Sequence, residues 1–480
     1  MRPGYVYDKG ALVKSLLILI GTAVLMKATG GAGFLLVVPL VLSTLMMRRA
    51  DKLFFYILLT TAMLVANPNV VPKDVVFGIS QRVLMMILGV VMSVQLLGSR
   101  LSRYTKPILG IFPYVLFMII PSAMGWSPKI SFLKLFLFTM IFLAYFGVAN
   151  QAAQSRSLYG GVVRSEMLAV AIFFIAGSVA LIPFPGIGQL RGDQFLDNPN
   201  ATSLFMGMTS QSQALGPAIS ALAVILLGDL LFSVKKPDKL YLALLLCCPI
   251  LIYKTSSRTG MGSFLLGLGY VVWLFMRAKG IGSRWRGKVM SIATTVVLLC
   301  VLVVVAVPSV RSGAIRFALK VSGESKRELS AENVLSSRQG KIDECLANFH
   351  KKPLIGNGFQ VSENMAYNRD KGGLILSAPI EKGVWIYAVL EEGGAIGFVL
   401  FAGFLLFTIH TLAKRRCYIG AGCLFVCALT NLGEFTFFSM TYMGGFIWSM
   451  VFAGVAMDVQ RIRQETRGAF RPPWAGIGMV

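Results

Sequence analysis

Long runs of apolar positions, each closed by a short polar stretch, set the rhythm of this chain. Runs close to the ~20 residues that cross a bilayer fall at about 11–28, 31–47, 53–67, 75–97, 107–124, 130–149 and 165–183. Others fall at about 210–232, 240–253, 261–276, 289–308, 384–408, 418–433 and 440–457. The pattern predicts an all-α polytopic membrane protein of about fourteen transmembrane helices, and the shorter runs predict kinked or tilted ones. It divides the chain into helices 1–11 over residues 1–308, one large polar loop over 309–383, and helices 12–14 with a tail over 384–480. The loop is long enough to fold over the membrane face as a small cap carrying short helices. Within it, Ile342, Leu346 and Phe349 are spaced as on an amphipathic helix whose polar face would show Arg338 and Lys341. Lys351, Lys352 and Pro353 follow, then a turn at Gly356 and Gly358.

Composition agrees with lipid as the solvent: 56% of residues are hydrophobic, 14% are charged, and the mean hydropathy is +0.72. The formal charge of +25 could point to nucleic acid, but the cations fall in short clusters between apolar runs. Every second connection is basic: Arg48, Arg49 and Lys52; Arg100, Arg103 and Lys106; Arg156 and Arg164; Lys235, Lys236 and Lys239. Arg277, Lys279, Arg284, Arg286 and Lys288, then Lys414, Arg415 and Arg416, then Arg461, Arg463 and Arg467 continue the series. By the positive-inside rule both termini face the cytoplasm and the large loop faces the periplasm of a bacterial inner membrane. No nucleic-acid partner is expected. The opening MRPGYVYDKG reads as the flank of a retained first helix rather than a cleaved signal. The seven cysteines show neither a CxxC pair nor a repeated spacing, and they read as small core residues.

Few cations occupy the opposite connections, so each invites a reason. In LRGDQFLDNPNA, residues 190–201, Arg191 stands beside Asp193 and Asp197; its guanidinium fork suits phosphate, or else it pairs with Asp193. KTSSRTG, residues 254–260, puts Lys254 and Arg258 at the outer rim, where a cation is either functional or snorkels to headgroups. His350 is the histidine of the large loop, structural or a general base. In SAPIEKGVWIYAVLEEGGAIG, residues 377–397, Glu381 stands at the mouth of a span with Glu391 and Glu392 deeper. Glu381 is a candidate base for a sugar hydroxyl, or the partner of Lys382 or a loop arginine. Glu434 in NLGEF reads as the salt-bridge partner of an arginine. No HExxH, CxxC, Walker or GxGxxG pattern stands in its required setting, so neither a metal nor a nucleotide cofactor is expected.

Taken in order, R..G.F..NPN at Arg191–Asn200, SRTG at Ser257–Gly260, SSR and HKKPLIGNGF within Ser336–Phe359, and E.GG.IG.....F at Glu392–Phe404 resemble a bacterial envelope family. This is the O-antigen ligase and Wzy-type O-antigen polymerase superfamily, and the likeness spans roughly residues 190–450. It implies a metal-independent glycosyltransferase that takes a glycan from an undecaprenyl diphosphate donor on the periplasmic face. The acceptor would be a glycan or a lipid, and other polysaccharide assembly proteins would be further partners beside membrane lipids. Arg191, Arg258 and Arg338 would bind the diphosphate with Lys254 and Lys341 near them, and Glu381, or His350 second, would act as the base. Ligases of this family carry a histidine before the span that follows the large loop, whereas this chain has SAPIEKG there. The departure favours a polymerase over a ligase. A lipid-linked oligosaccharide flippase is the rival of another class, but such transporters tend to show internal repeats and central intramembrane charges, whereas this chain shows one lopsided loop and cations at the outer rim.

The charge parity makes a direct prediction. In intact cells a cysteine placed at Ser322 reacts with a membrane-impermeant thiol reagent and one at Ser283 does not; the reverse labelling would invert the topology.

Overall fold

A computed structural model describes the chain except for residues 1–6, 47–49, 99, 155–161, 190–204, 233–238, 256, 279–330, 364–381, 434–435, 441–442 and 470–480. The first half comprises α1 (Lys9–Thr29), α2 (Val37–Met46), α3 (Ala50–Val65), α4 (Val75–Gly98), α5 (Lys106–Met124), α6 (Pro128–Gln154) and α7 (Val162–Ala180). The second comprises α8 (Ser212–Phe232), α9 (Lys239–Lys254), α10 (Arg258–Ala278), α11 (Ala331–Lys351), α12 (Trp385–Lys414), α13 (Tyr418–Thr430) and α14 (Met443–Ala469). Among the described residues, nine helical stretches are long and apolar enough to cross a membrane, which makes this a multi-pass helical membrane protein. The count of about fourteen is not reached on that measure. The runs expected at 11–28 and 31–47 form one helical stretch, Lys9–Met46, and those at 53–67, 240–253 and 418–433 become shorter helices. The run at 289–308 lies outside the described residues.

Two adjacent glycines explain the join in the first stretch. Gly30 ends α1 with φ +66°, and Gly31 lets Asp74 come so close that a Cβ there would overlap its carboxylate. Asp74 accepts from the N–H of Gly31 at 2.6 Å and of Phe77 at 2.8 Å, capping α4. Those two donors hold its carboxyl below the usual range.

The core is built round α14, whose spanning window is wholly buried. Phe446, Trp448, Phe452 and Met457 show why: the helix is apolar on every side, as a helix enclosed by others must be. It packs against α3, α6, α7, α8 and α13. Trp448 donates to the Phe437 carbonyl at 2.9 Å, so its one polar atom is satisfied within the core. The close approach of α13 needs small residues, because a Cβ on Gly420 would sit 2.4 Å from Val455 Cγ2.

Among the described residues, several of the basic connections meet at one end of the bundle. At the basic end Ser165 donates to the Asp8 carbonyl, Arg415 to the Arg103 carbonyl, and Arg416 pairs with Glu465. There Arg164 reaches Asp229 at 2.7 Å, and Tyr241 donates to the same carboxylate at 2.9 Å. Asp458 accepts from the N–H groups of Ile419 and Gly420 at 2.7 and 3.0 Å, closing the start of α13. At the other end Asn67 donates to the Ile187 and Gly207 carbonyls at 2.8 and 2.6 Å.

Two glycine substitutions separate packing from helix propensity. Gly420→Ala should destabilise the protein by about 1–3 kcal/mol through overpacking, read as a lower thermal midpoint in detergent. Gly269→Ala, with nothing within 4 Å of the added carbon, should hold or raise that midpoint; equal effects would refute the packing argument.

Candidate functional site

At the end opposite the basic clusters, the sequence LIGNGF meets the sequence EEGG. Gly394 has φ +63° and interrupts α12. In an unbroken helix Ala395 N–H would bond Glu391 C=O, and Ile396 N–H would bond Glu392 C=O. All four groups instead bond to residues 353–358. Ala395 and Ile396 donate to the Pro353 and Leu354 carbonyls at 2.8 and 3.3 Å, and Asn357 and Gly358 donate to the Glu391 and Glu392 carbonyls at 2.9 and 3.0 Å. The glycines follow from this geometry: a Cβ on Gly394 would lie 2.3 Å from the Leu354 carbonyl carbon, and one on Gly356 2.4 Å from that of Glu392. Phe359, fully buried, continues the insertion against Phe138 and Phe438, and its N–H donates to Ser131 Oγ at 2.7 Å.

Behind the insertion lies a buried ionic cluster. Lys382 Nζ is 3.1 Å from Glu391 Oε2 and 3.1 Å from Glu392 Oε1, and all three side chains are at most 4% exposed. Lys382 also donates to the Val361 carbonyl at 2.8 Å, and Lys134 to the Gln360 carbonyl at 3.0 Å. Asn348 of α11 donates to Glu391 Oε1 at 3.1 Å. Burial by itself would lower the Lys382 ammonium, but Glu391 and Glu392 outweigh it and raise its pKa. The ammonium therefore stays charged at any physiological pH. Sunk this far, the cluster positions the chain rather than meeting a substrate.

It also explains the orientation of α11. The helix forms as the spacing of Ile342, Leu346 and Phe349 predicts, but Lys341 is turned from the expected polar outer face. Among the described residues Cys345 and Asn348 are its buried ones, and position 341 falls on their stripe at helical spacing. Lys341 is half-buried. The face turned inward is polar because what it meets is Glu391 and Lys382 rather than hydrocarbon.

The other candidate residues fall as follows. Ser257 caps α10 by accepting from Gly260 N–H at 3.1 Å, which sets Arg258, half-buried, as the first residue of that helix. Gly260 is packed against Gly216 of α8, where its Cβ would meet Gly216 Cα at 2.8 Å. Lys254 is exposed at the end of α9. His350 is exposed near the end of α11, roughly 200° round the helix from the inward-facing Asn348 at 100° per residue. Arg191, Glu381 and Glu434 lie outside the described residues, and of Arg338 only the backbone is described. The pairing of Glu391 and Glu392 with Lys382 was not anticipated. A lysine just before a span that carries two adjacent glutamates about two helical turns in is the available signal.

Direct contacts join the motifs into one patch. A Cβ on Gly433 would strike Thr259 of SRTG at 1.9 Å, Asn431 accepts from Trp385 N–H at 3.0 Å, and α12 then leads to Glu391 and the inserted turn. Met206 N–H donates to Gly188 C=O at 2.9 Å. Gln211, farther along, lines a cavity of about 30 Å³ with Thr430 and Thr436 beside Asn431. Among the described residues no three His, Cys, Asp or Glu gather as metal ligands would. No family model matches the chain, and no curated protein matches it.

Lys382→Met strands two buried carboxylates and should destabilise the protein by about 3–5 kcal/mol. Adding Glu391→Gln and Glu392→Gln should recover most of that loss in detergent denaturation; no recovery would show that the three groups do not act as a unit.

Proposed function

We propose that the protein is a glycosyltransferase acting on a polyprenyl diphosphate-linked oligosaccharide at the periplasmic face of a bacterial inner membrane. Polymerisation of repeat units is favoured over transfer to lipid A core. The observation that supports this most is the meeting of SRTG, HKKPLIGNGF, EEGGAIG and NLG in one patch, although the sequence scatters them over residues 257–433. Arg258, Arg338 and Arg191 grip the diphosphate, with Lys254 and Lys341 adding positive charge. Like charges gathered there repel one another unless an anion lies between them. Glu381, or His350 in its place, takes the proton from an acceptor hydroxyl. That oxygen attacks the anomeric carbon, the bond to the diphosphate oxygen breaks, and the leaving group departs with the electron pair into the field of the arginines. Lys382, the residue after Glu381 in sequence, is itself locked by two carboxylates.

In a reconstituted system with lipid-linked repeat units, laddered product identifies a polymerase. Capped lipid A core identifies a ligase, and unchanged glycan crossing the bilayer identifies a flippase. Arg258→Lys, Arg338→Lys and Arg191→Lys each keep the charge but lose the fork, so turnover should drop by about 10²-fold at normal protein level. Glu381→Gln should bind donor and fail to transfer, and full activity in all four variants would remove the scheme. Turnover should survive EDTA, since arginines take the leaving-group charge; loss on chelation with rescue by Mg²⁺ would overturn that expectation.

A further inference from the structure

At the basic end, a cavity of about 900 Å³ opens between α8, α10, α12, α13 and α14. Its character changes along α12. Leu406 and Ile409 line it with Tyr270 and Phe425, and Lys414, two turns farther along α12, lines it with Arg277 and Arg416. At 1.5 Å per residue, Leu406 to Lys414 spans about 12 Å, the depth of a headgroup and the first part of its acyl chains.

The rim is uncompensated in charge. Arg461 pairs with Asp458 and Glu465 at 3.1 and 3.2 Å, and Arg416 pairs with the same Glu465. Arg277 lies over the Trp273 ring at 5.5 Å, and among the described residues neither it nor Lys414 has an acidic partner within 4.0 Å. Arg461 is also held over the rings of Phe232 and Tyr418 at 5.4 and 5.3 Å, so the cationic floor is rigid. Two cations without an acidic partner among the described residues, beside an apolar, aromatic slot, match one ligand chemistry: a phosphate headgroup carried on acyl chains.

We propose that this cavity is a binding site for an anionic phospholipid, its phosphate between Arg277 and Lys414 and its chains along Leu406 and Phe425. The site lies at the far end of α12 from the candidate active site, and the inference does not rest on the glycosyltransferase reading.

Native mass spectrometry of the full chain in detergent tests it, with phosphatidylglycerol, phosphatidylcholine and inorganic phosphate as separate probes. Phosphatidylglycerol should be retained at least about tenfold more tightly than phosphatidylcholine. Arg277→Gln with Lys414→Gln should abolish that preference without moving the thermal midpoint. Leu406→Trp, which fills the slot and leaves every charge in place, should also weaken retention. Equal retention of the two lipids, an unchanged preference in both variants, or capture of inorganic phosphate without the lipid would each overturn the proposal.

Discussion

In hydrocarbon a main-chain N–H or C=O without a partner costs several kcal/mol, and that demand decides how the cap is joined to the membrane helices. The break at Gly394 frees two donors and two acceptors that an unbroken α12 would have paired internally. Residues 353–358 answer all four, so the turn completes a helix that is otherwise open. The cap is thereby part of the bundle's own hydrogen-bond system and does not merely rest on its surface. Everything at that end inherits its position from the exchange: α11 through Asn348, Lys382 through Glu391 and Glu392, and the start of α10 through Asn431 and Gly433.

Charge is handled differently at the two ends. Near the cap, acids and lysines are buried in contact, where neutral replacement of the whole set costs less than removal of one member. At the basic end, Asp458, Arg461, Glu465 and Arg416 form a chain of pairs that runs from the buried start of α13 towards the rim. The inner members cap and anchor helices, and the outer cations remain for the lipid surface. One mixture of residue types thus serves rigidity where it is enclosed and recognition where it opens.

Much of this was legible in the sequence because lipid allows few solutions. Apolar runs gave the helical class and most element positions, and the basic connections that the structure describes at 100–106, 164, 414–416 and 461 lie at one end of the bundle. The pattern of Ile342, Leu346 and Phe349 gave α11 but misassigned its faces, since hydrophobic periodicity assumes an apolar neighbour and this helix has a polar one. Hydropathy counts could not tell a break from a boundary, so Gly30 and Gly394 passed unnoticed: one lies inside a single helical stretch and the other inside an apolar run. Rim position and guanidinium chemistry single out the candidate arginines in the sequence. Arg258 does stand at a capped helix start beside the other motifs, a placement that needed Ser257, Gly260 and Gly433 together and that no one of them signals alone.

The interrupted helix also bears on how the protein is made. Residues 353–358 leave the ribosome before residues 391–396, so the half-helix that lacks partners is never synthesised ahead of the segment that supplies them. Reversing that order would send two bare carbonyls and two bare amides into lipid with nothing to receive them. Chain direction thus suits the exchange: the partners at 353–358 already exist when residues 391–396 are synthesised.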